Sequence, residues 1–294
     1  MACSRQPYNG FTIVELLVVI VTIGILAAIT IVSYIGITAK ANIATMQSDL
    51  ASASQKLNLY QVADPSNNYP ADQAAAIAAN VIKPNTNMDY IYYGVDNTSN
   101  PKYYCYMYRK GTDTWAVDSN SAVSKGVCLQ NLVTNGDFSQ GATGWMSSAP
   151  LTVSNNECYF TVISQHDGPA QYIPNYVNYK SHKLYYAASV KVNSNPVYLI
   201  LNDALSQSTI TSASFESYAR LSGVWTINPG TTGIYAKLQD SRSTGWSTNY
   251  IKYWATVDIT SAFGAGNEPT QAQMDALMAQ LPNNWFNITA KVNL

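Results

Sequence analysis

Residues Gly10–Ile29 read GFTIVELLVVIVTIGILAAI, an apolar run whose one charged residue is Glu15. An ionised acid near a bilayer centre costs roughly 2.5–3.5 kcal/mol on translocon scales, so its presence there implies a partner. The chain can supply one itself. A cut between Gly10 and Phe11 would create an α-amino group four residues before Glu15. Ammonium and carboxylate at one depth would then neutralise each other, within a chain or between neighbouring copies. Other acid–base chemistry is sparse. There are two histidines, His166 and His182, four glutamates (Glu15, Glu157, Glu216 and Glu268), and no GxSxG or HExxH motif. Glycoside hydrolysis needs two carboxylates flanking one bond, and nucleophile motifs bring a local context of their own. Neither pattern is legible, so the sequence reads as that of a protein without catalytic function and without an organic cofactor.

The element that must position Glu15 is a helix. From Phe11 to Tyr34 the run is 24 residues, about 36 Å at helical rise, enough to span a bilayer with some tilt. Beyond it Ile43, Met46, Leu50, Ala53, Leu57 and Tyr60 recur at steps of three and four, with Asn42, Gln47, Asp49, Ser52 and Lys56 around the rest of the surface. That is an amphipathic continuation whose seam docks a head domain, giving a helix of roughly 75 Å in all. Asp64-Pro65 and Asn67-Asn68-Tyr69-Pro70 end it. A short helix is predicted over Asp72–Val81, followed by strands over Tyr90–Val95, Lys102–Arg109 and Thr114–Val117.

The leader order, Gly10, Phe11, Thr12 and Glu15 ahead of a hydrophobic helix, resembles the class III signal of type IV prepilins. The resemblance implies cleavage after Gly10 by a prepilin peptidase and N-methylation of Phe11. It also implies pairing of Glu15 with the Phe11 amine of an adjacent subunit as a helical filament assembles. Val32 stands where many pilins have proline, so no proline kink is expected. Helix, loop and small antiparallel sheet follow the pilin order to about residue 130.

Of four cysteines, Cys3 lies in the leader, and Cys105 and Cys128 flank a strand-and-loop region. Joined, they would close a loop of about 23 residues, on the order of 3 kcal/mol in the chain-entropy model. The pair is similar to the C-terminal disulfide loop of many pilins; the alternative is two unrelated buried thiols. Cys158 is left over as a small buried hydrophobe.

A different pattern starts at Gln130, with NLVTNGDFS and Gly144-Trp145 around a turn. Short strands then recur: Cys158–Ile163, Lys183–Val192, Val197–Leu201, Tyr218–Ile227, Gly233–Gln239 and Tyr250–Ile259. Their spacing, punctuated by Gly, Asn and Pro, predicts a β-sandwich. The opening and the closing DITSAFGAGNEPTQAQMDALMAQLPNNWF resemble carbohydrate-binding-module-like, galactose-binding-like jelly rolls. A final helix is expected from Pro269 to about Gln280. The resemblance implies a sugar site of rings and amides, with Gln171, Tyr172, Tyr176, Arg242, Trp246 and Tyr250 as candidates; core or cross-strand packing is the competing role for each. Asp137 and Asp258 stand where such jelly rolls sometimes hold a structural calcium.

The expected fold is therefore α+β: a long N-terminal helix packed on a small antiparallel sheet, followed by an all-β jelly-roll sandwich. The expected division is 1–10 leader, 11–34 membrane and assembly helix, 35–129 head, and 130–294 jelly roll. The net charge of −1, about −2 without Arg5, gives no reason to expect nucleic acid. The expectation is a precursor in the cytoplasmic membrane that becomes a homo-oligomeric surface filament with an outward adhesive, glycan- or host-surface-binding domain. A membrane-anchored, non-polymerising lectin and a pseudopilin of a secretion or DNA-uptake system remain as alternatives.

Overall fold

The computed structural model describes residues 12–162, 168–193, 196–212, 215–240 and 247–294. They fall into two compact units, 1–46 and 47–294.

The first unit holds the apolar part of helix α1, which runs Ile13–Ala63. The hydroxyls of Thr22, Thr30 and Thr38 donate back to carbonyls three or four residues earlier, at 2.9–3.0 Å, so the apolar stretch carries no unbonded threonine hydroxyl. Its large apolar side chains from Ile13 to Ile37 are exposed, and the helix is long and apolar enough to cross a membrane.

In the second unit the last turns of α1 bury Leu50, Ala53 and Leu57, the seam expected from their spacing. Asp64 stops the helix by turning its carboxylate onto the amides of Ser66 and Asn68, both at 3.0 Å. Helix α2 (Gln73–Ala78) starts on Asp72, which accepts from the Ala75 amide. Four antiparallel strands then form a meander: β1 (Tyr90–Asp96), β2 (Tyr103–Lys110), β3 (Asp113–Asp118) and β4 (Ser121–Gln130). Alternation along β2 serves two neighbours. Tyr104, Tyr106 and Tyr108 face α1 and the α2 region: the Tyr104 hydroxyl donates to Ser54 Oγ at 2.9 Å, and that of Tyr108 to the Lys83 carbonyl at 3.1 Å. Cys105 and Met107 point the other way, into a second core. Cys105 and Cys128 are joined as a disulfide between β2 and β4.

The sandwich comprises β5 (Leu151–Ser154), β6 (Glu157–Val162), β7 (Ala170–Tyr172), β8 (Lys183–Val192), β9 (Val197–Asn202), β10 (Gln207–Thr211), β11 (Phe215–Thr226), β12 (Tyr235–Asp240) and β13 (Ser247–Asp258). Two sheets result, ordered β11-β8-β13-β6-β5 and β10-β9-β12-β7. Between them pack Phe138, Trp145, Phe160, Leu184, Tyr186, Val190, Leu199, Leu238 and Trp254. Phe138 stacks on Trp145 at 5.0 Å, and Trp145 lies 5.3 Å from Trp254.

Helices α3 (Ile259–Phe263) and α4 (Gln271–Met278) follow, and α4 opens on a capping box between Thr270 and Gln273. The last strand, β14 (Thr289–Asn293), does not join the sandwich. It pairs antiparallel with β4 and completes the first sheet, in the order β1-β2-β3-β4-β14. Residues between β4 and β14 are thus an insertion in that sheet. Part of the five-stranded sandwich sheet is buried on both faces. Leu184, Tyr186 and Ala188 of β8 enter the sandwich core, while Tyr185 and Ala187 share a core with Cys105, Met107, Val127, Leu129, Ala290 and Val292. A bulge in β13 between Lys252 and Ala255 lets that strand serve both cores: Ile251 and Trp254 on one side of it, Ala255 and Val257 on the other. Tyr253, at its centre, takes a φ of 59°.

Candidate functional site

Gly10, Phe11, His166, Arg242 and Trp246 lie outside the described residues. Glu15 has local partners that its apolar surroundings obscured in the sequence. Thr12 and Glu15 form a capping box. The Thr12 amide and hydroxyl both donate to Glu15 Oε2, at 2.8 and 2.9 Å, and the Glu15 amide donates to Thr12 Oγ1 at 3.2 Å. The carboxylate is held at the start of α1, where the backbone amides and the helix dipole favour a negative charge. The signal was the T-x-x-E spacing itself.

Of the described candidates for sugar recognition, Gln171 and Tyr172 lie on the four-stranded sandwich sheet, Tyr176 in a 3-10 turn after it, and Tyr250 on the five-stranded sheet. Gln171 corrects the expectation: it is buried rather than part of an exposed surface. Its Oε1 accepts from the Thr134 amide at 2.8 Å, and its Nε2 donates to the carbonyls of Thr134 and Gly144 at 3.0 and 3.3 Å. On a strand the next side chain faces the other way, and Tyr172 is 36% exposed. Its ring meets Tyr235 at 5.2 Å and Tyr176 at 6.3 Å, both edge-on. Register extends this cluster into an outer face on the four-stranded sheet. One row reads Tyr172, Tyr235, Asn202, Gln207; the next Ala170, Lys237, Ile200, Thr209; the third Gln239, Tyr198, Thr211. Ala236, Leu238, Leu199 and Leu201 point inward between them. At the edge, Met146, Ser147, Ala170, Lys237 and Gln239 line a cavity of about 390 Å³. Tyr198, Asn202 and Tyr235 of this face are not among the residues singled out in the sequence, although the alternation in YAKLQD of β12 places Tyr235 on an outward position.

Tyr250 lies on the other sheet. Its ring is 5.8 Å from Tyr159 and carries Lys191 Nζ at 3.8 Å from its centroid. Lys252 Nζ sits 3.9 Å over Tyr218, whose hydroxyl bonds Glu157. Burial and the neighbouring carboxylate push the Tyr218 phenol well up, so it stays a donor. Ammonium groups occupy these ring faces, which leaves them less open to a sugar than those beside Tyr172.

Asp137 and Asp258 are engaged separately. Asp137 Oδ1 accepts from the amide and hydroxyl of Ser139 at 3.1 and 2.9 Å. Asp258 caps α3 through the amide and hydroxyl of Ser261 and bonds His182 Nδ1 at 2.8 Å. Among the described residues no three His, Cys, Asp or Glu side chains converge on a common point.

No family model matches the chain. The type II secretion system core protein G of Klebsiella michiganensis is 30% identical over 114 residues, 39% of this chain and 72% of that protein. The chain belongs to the family of this core protein G.

Solved structures similar to part of the chain include the CBM22-1 xylan-binding domain from Paenibacillus barcinonensis Xyn10C, 9% identical over 47% of this chain and 97% of that one, with a TM-score of 0.37. Others are a family 16 carbohydrate-binding module, 16% identical over 43% and 99% at 0.33, and TmCBM61 in complex with β-1,4-galactotriose, 11% identical over 43% and 97% at 0.34.

Proposed function

We propose that this chain is a subunit of a pilus-like filament built on the core-protein-G plan. It enters the cytoplasmic membrane as a precursor, is cut after Gly10 by a prepilin peptidase, and assembles through its N-terminal helices. The observation that carries this reading is the family match, joined to a helix whose apolar side chains from Ile13 to Ile37 are exposed. Such a surface requires lipid or other apolar helices as its surroundings. The Phe11 amine of a neighbour then meets a carboxylate already held at the helix start by Thr12.

The same subunit presents a sugar-recognising surface, the outer face of the four-stranded sheet. Half-exposed rings of Tyr172, Tyr235 and Tyr198 alternate there with the amides of Asn202, Gln207 and Gln239. Flat rings pack on the apolar faces of sugar rings, and amides both donate to and accept from hydroxyls. At the cell surface this face would act in adhesion rather than in catalysis.

Two experiments test the reading. Mass spectrometry of the mature protein should find Phe11 at the N-terminus. Filament yield should fall at least tenfold in both Glu15→Ala and Glu15→Gln, although glutamine preserves the capping box and removes only the charge. Normal filaments from Glu15→Gln, or a mature chain beginning at Met1, would refute the assembly mechanism. For the sugar face, a glycan array probed with the full chain should show binding that Tyr172→Ala and Tyr235→Ala abolish.

A further inference from the structure

A third surface lies where the sandwich meets the first sheet, inside the unit 47–294. A cleft of about 460 Å³ opens there between the turn after β1, the segments flanking β4 and β14, and the sandwich loops 132–144 and 173–179. Its volume is that of a small-molecule site. Two properties of its lining point to what it takes.

The first is charge. The lining side chains are amides, hydroxyls, one phenol and a few apolar groups, and none is ionisable at neutral pH. An acidic or basic ligand would lose hydration there and gain no counter-ion.

The second is a surplus of hydrogen-bonding capacity. Some lining amides are committed to the fold: Asn131 holds the carbonyls of Trp254 and Phe286, and Asn135 those of Gly141 and Thr143. Gln130, Gln140, Asn175 and Tyr179 line the same cleft and have no side-chain hydrogen bond among the described residues. Each of these amides offers donors and an acceptor together, and the phenol offers one donor and an acceptor. That set matches a ligand whose own groups both donate and accept, a polyol. Pro174, which is exposed, gives the wall an apolar patch beside them. Tyr179 is half-buried against the sandwich core, and burial together with the nearby Asp258 raises its phenol pKa, so it remains a donor. Gln130 and Tyr179 also line a separate, smaller cavity of about 200 Å³, together with Asn178 and Asp258.

We propose that this cleft binds an uncharged sugar residue, with Gln140 and Asn175 pairing to its hydroxyls and Tyr179 bounding its ring. The site is separate from the outer face of the four-stranded sheet and does not depend on it. It exists because β14 returns to β4, which brings Asn287 and Ile288 beside the sandwich loops.

The test uses the full chain in detergent, with saturation-transfer NMR and titration calorimetry. The probes are D-glucose, D-galactose, N-acetyl-D-glucosamine, D-glucuronate and triglycine. At least one neutral sugar should bind in preference to glucuronate and triglycine. The double variant Gln140→Ala/Asn175→Gly, in which glycine keeps the left-handed backbone of residue 175 (φ 55°), should weaken it about tenfold, as expected for two lost hydrogen bonds. Both side chains are exposed and bond nothing in the fold, so the variant retains its native contacts. Tyr179→Phe, which keeps the ring, should weaken it about threefold. All of these proteins carry Tyr172→Ala and Tyr235→Ala as background, which removes the outer face of the four-stranded sheet from the measurement. Absence of neutral-sugar binding overturns the proposal. So does binding that survives the changes at Gln140 and Asn175, or a preference for glucuronate or triglycine.

Discussion

A threonine and a glutamate three residues apart close the start of α1 on each other, and this gives Glu15 a local role before any assembly. The sequence exposed the acid and its membrane-length setting; it also contained the capping spacing, which the apolar context hid. Gln171 and Tyr172 show the opposite case. Both types suit sugar recognition, but strand alternation turns the first into the fold and leaves the second outside. At this scale Cys158 also has a definite chemistry. Burial pushes its thiol up to about 12, so at pH 8 almost none is thiolate. Iodoacetamide should modify Cys158 only after denaturation, as read by peptide mass spectrometry; rapid labelling of the folded chain would contradict its buried position.

Among elements, those with strong local periodicity were legible. The helical seam at Leu50, Ala53 and Leu57 is buried as its spacing requires, and β8 occupies Lys183–Val192 as expected. Weakly patterned strands were not: β5, β7, β10 and β14 are three to five residues long and take their identity from partners distant in sequence. One buried amide joins these elements. Asn131 Oδ1 accepts from the amides of Val133 and Thr256 at 3.2 and 3.0 Å, and its Nδ2 donates to the carbonyls of Trp254 and Phe286. Asn131→Ala removes the partner of the Val133 and Thr256 amides and of the Phe286 carbonyl, while the Trp254 carbonyl keeps the Trp285 indole as donor. The expected loss is about 3 kcal/mol in chemical denaturation. A loss within about 0.5 kcal/mol would mean that the junction does not depend on it.

For the whole molecule, the sandwich and the head sheet share a core. Tyr185, Ala187, Ala255 and Val257 from one meet Met107, Leu129 and Val292 from the other. The chain without residues 1–46 should therefore unfold in a single calorimetric transition. Residues 130–294 alone lose the cover on that apolar face and the partner of β14, so they should aggregate or bind hydrophobic dyes. Two separate transitions, or a well-behaved 130–294 fragment, would show that the two parts are energetically independent.

The sequence by itself determined the long helix, its acid near the start, and the run of sandwich strands. These rest on periodicity, composition and short spacings, which act locally. Tertiary structure alone decided which tyrosines share a face, which amides are committed to the fold, and that the last strand returns to the first sheet. Strand pairing is non-local: a five-residue segment such as β14 carries no address in its own residues, and its place is fixed by the edge that β4 offers and by the core that Ala290 and Val292 complete.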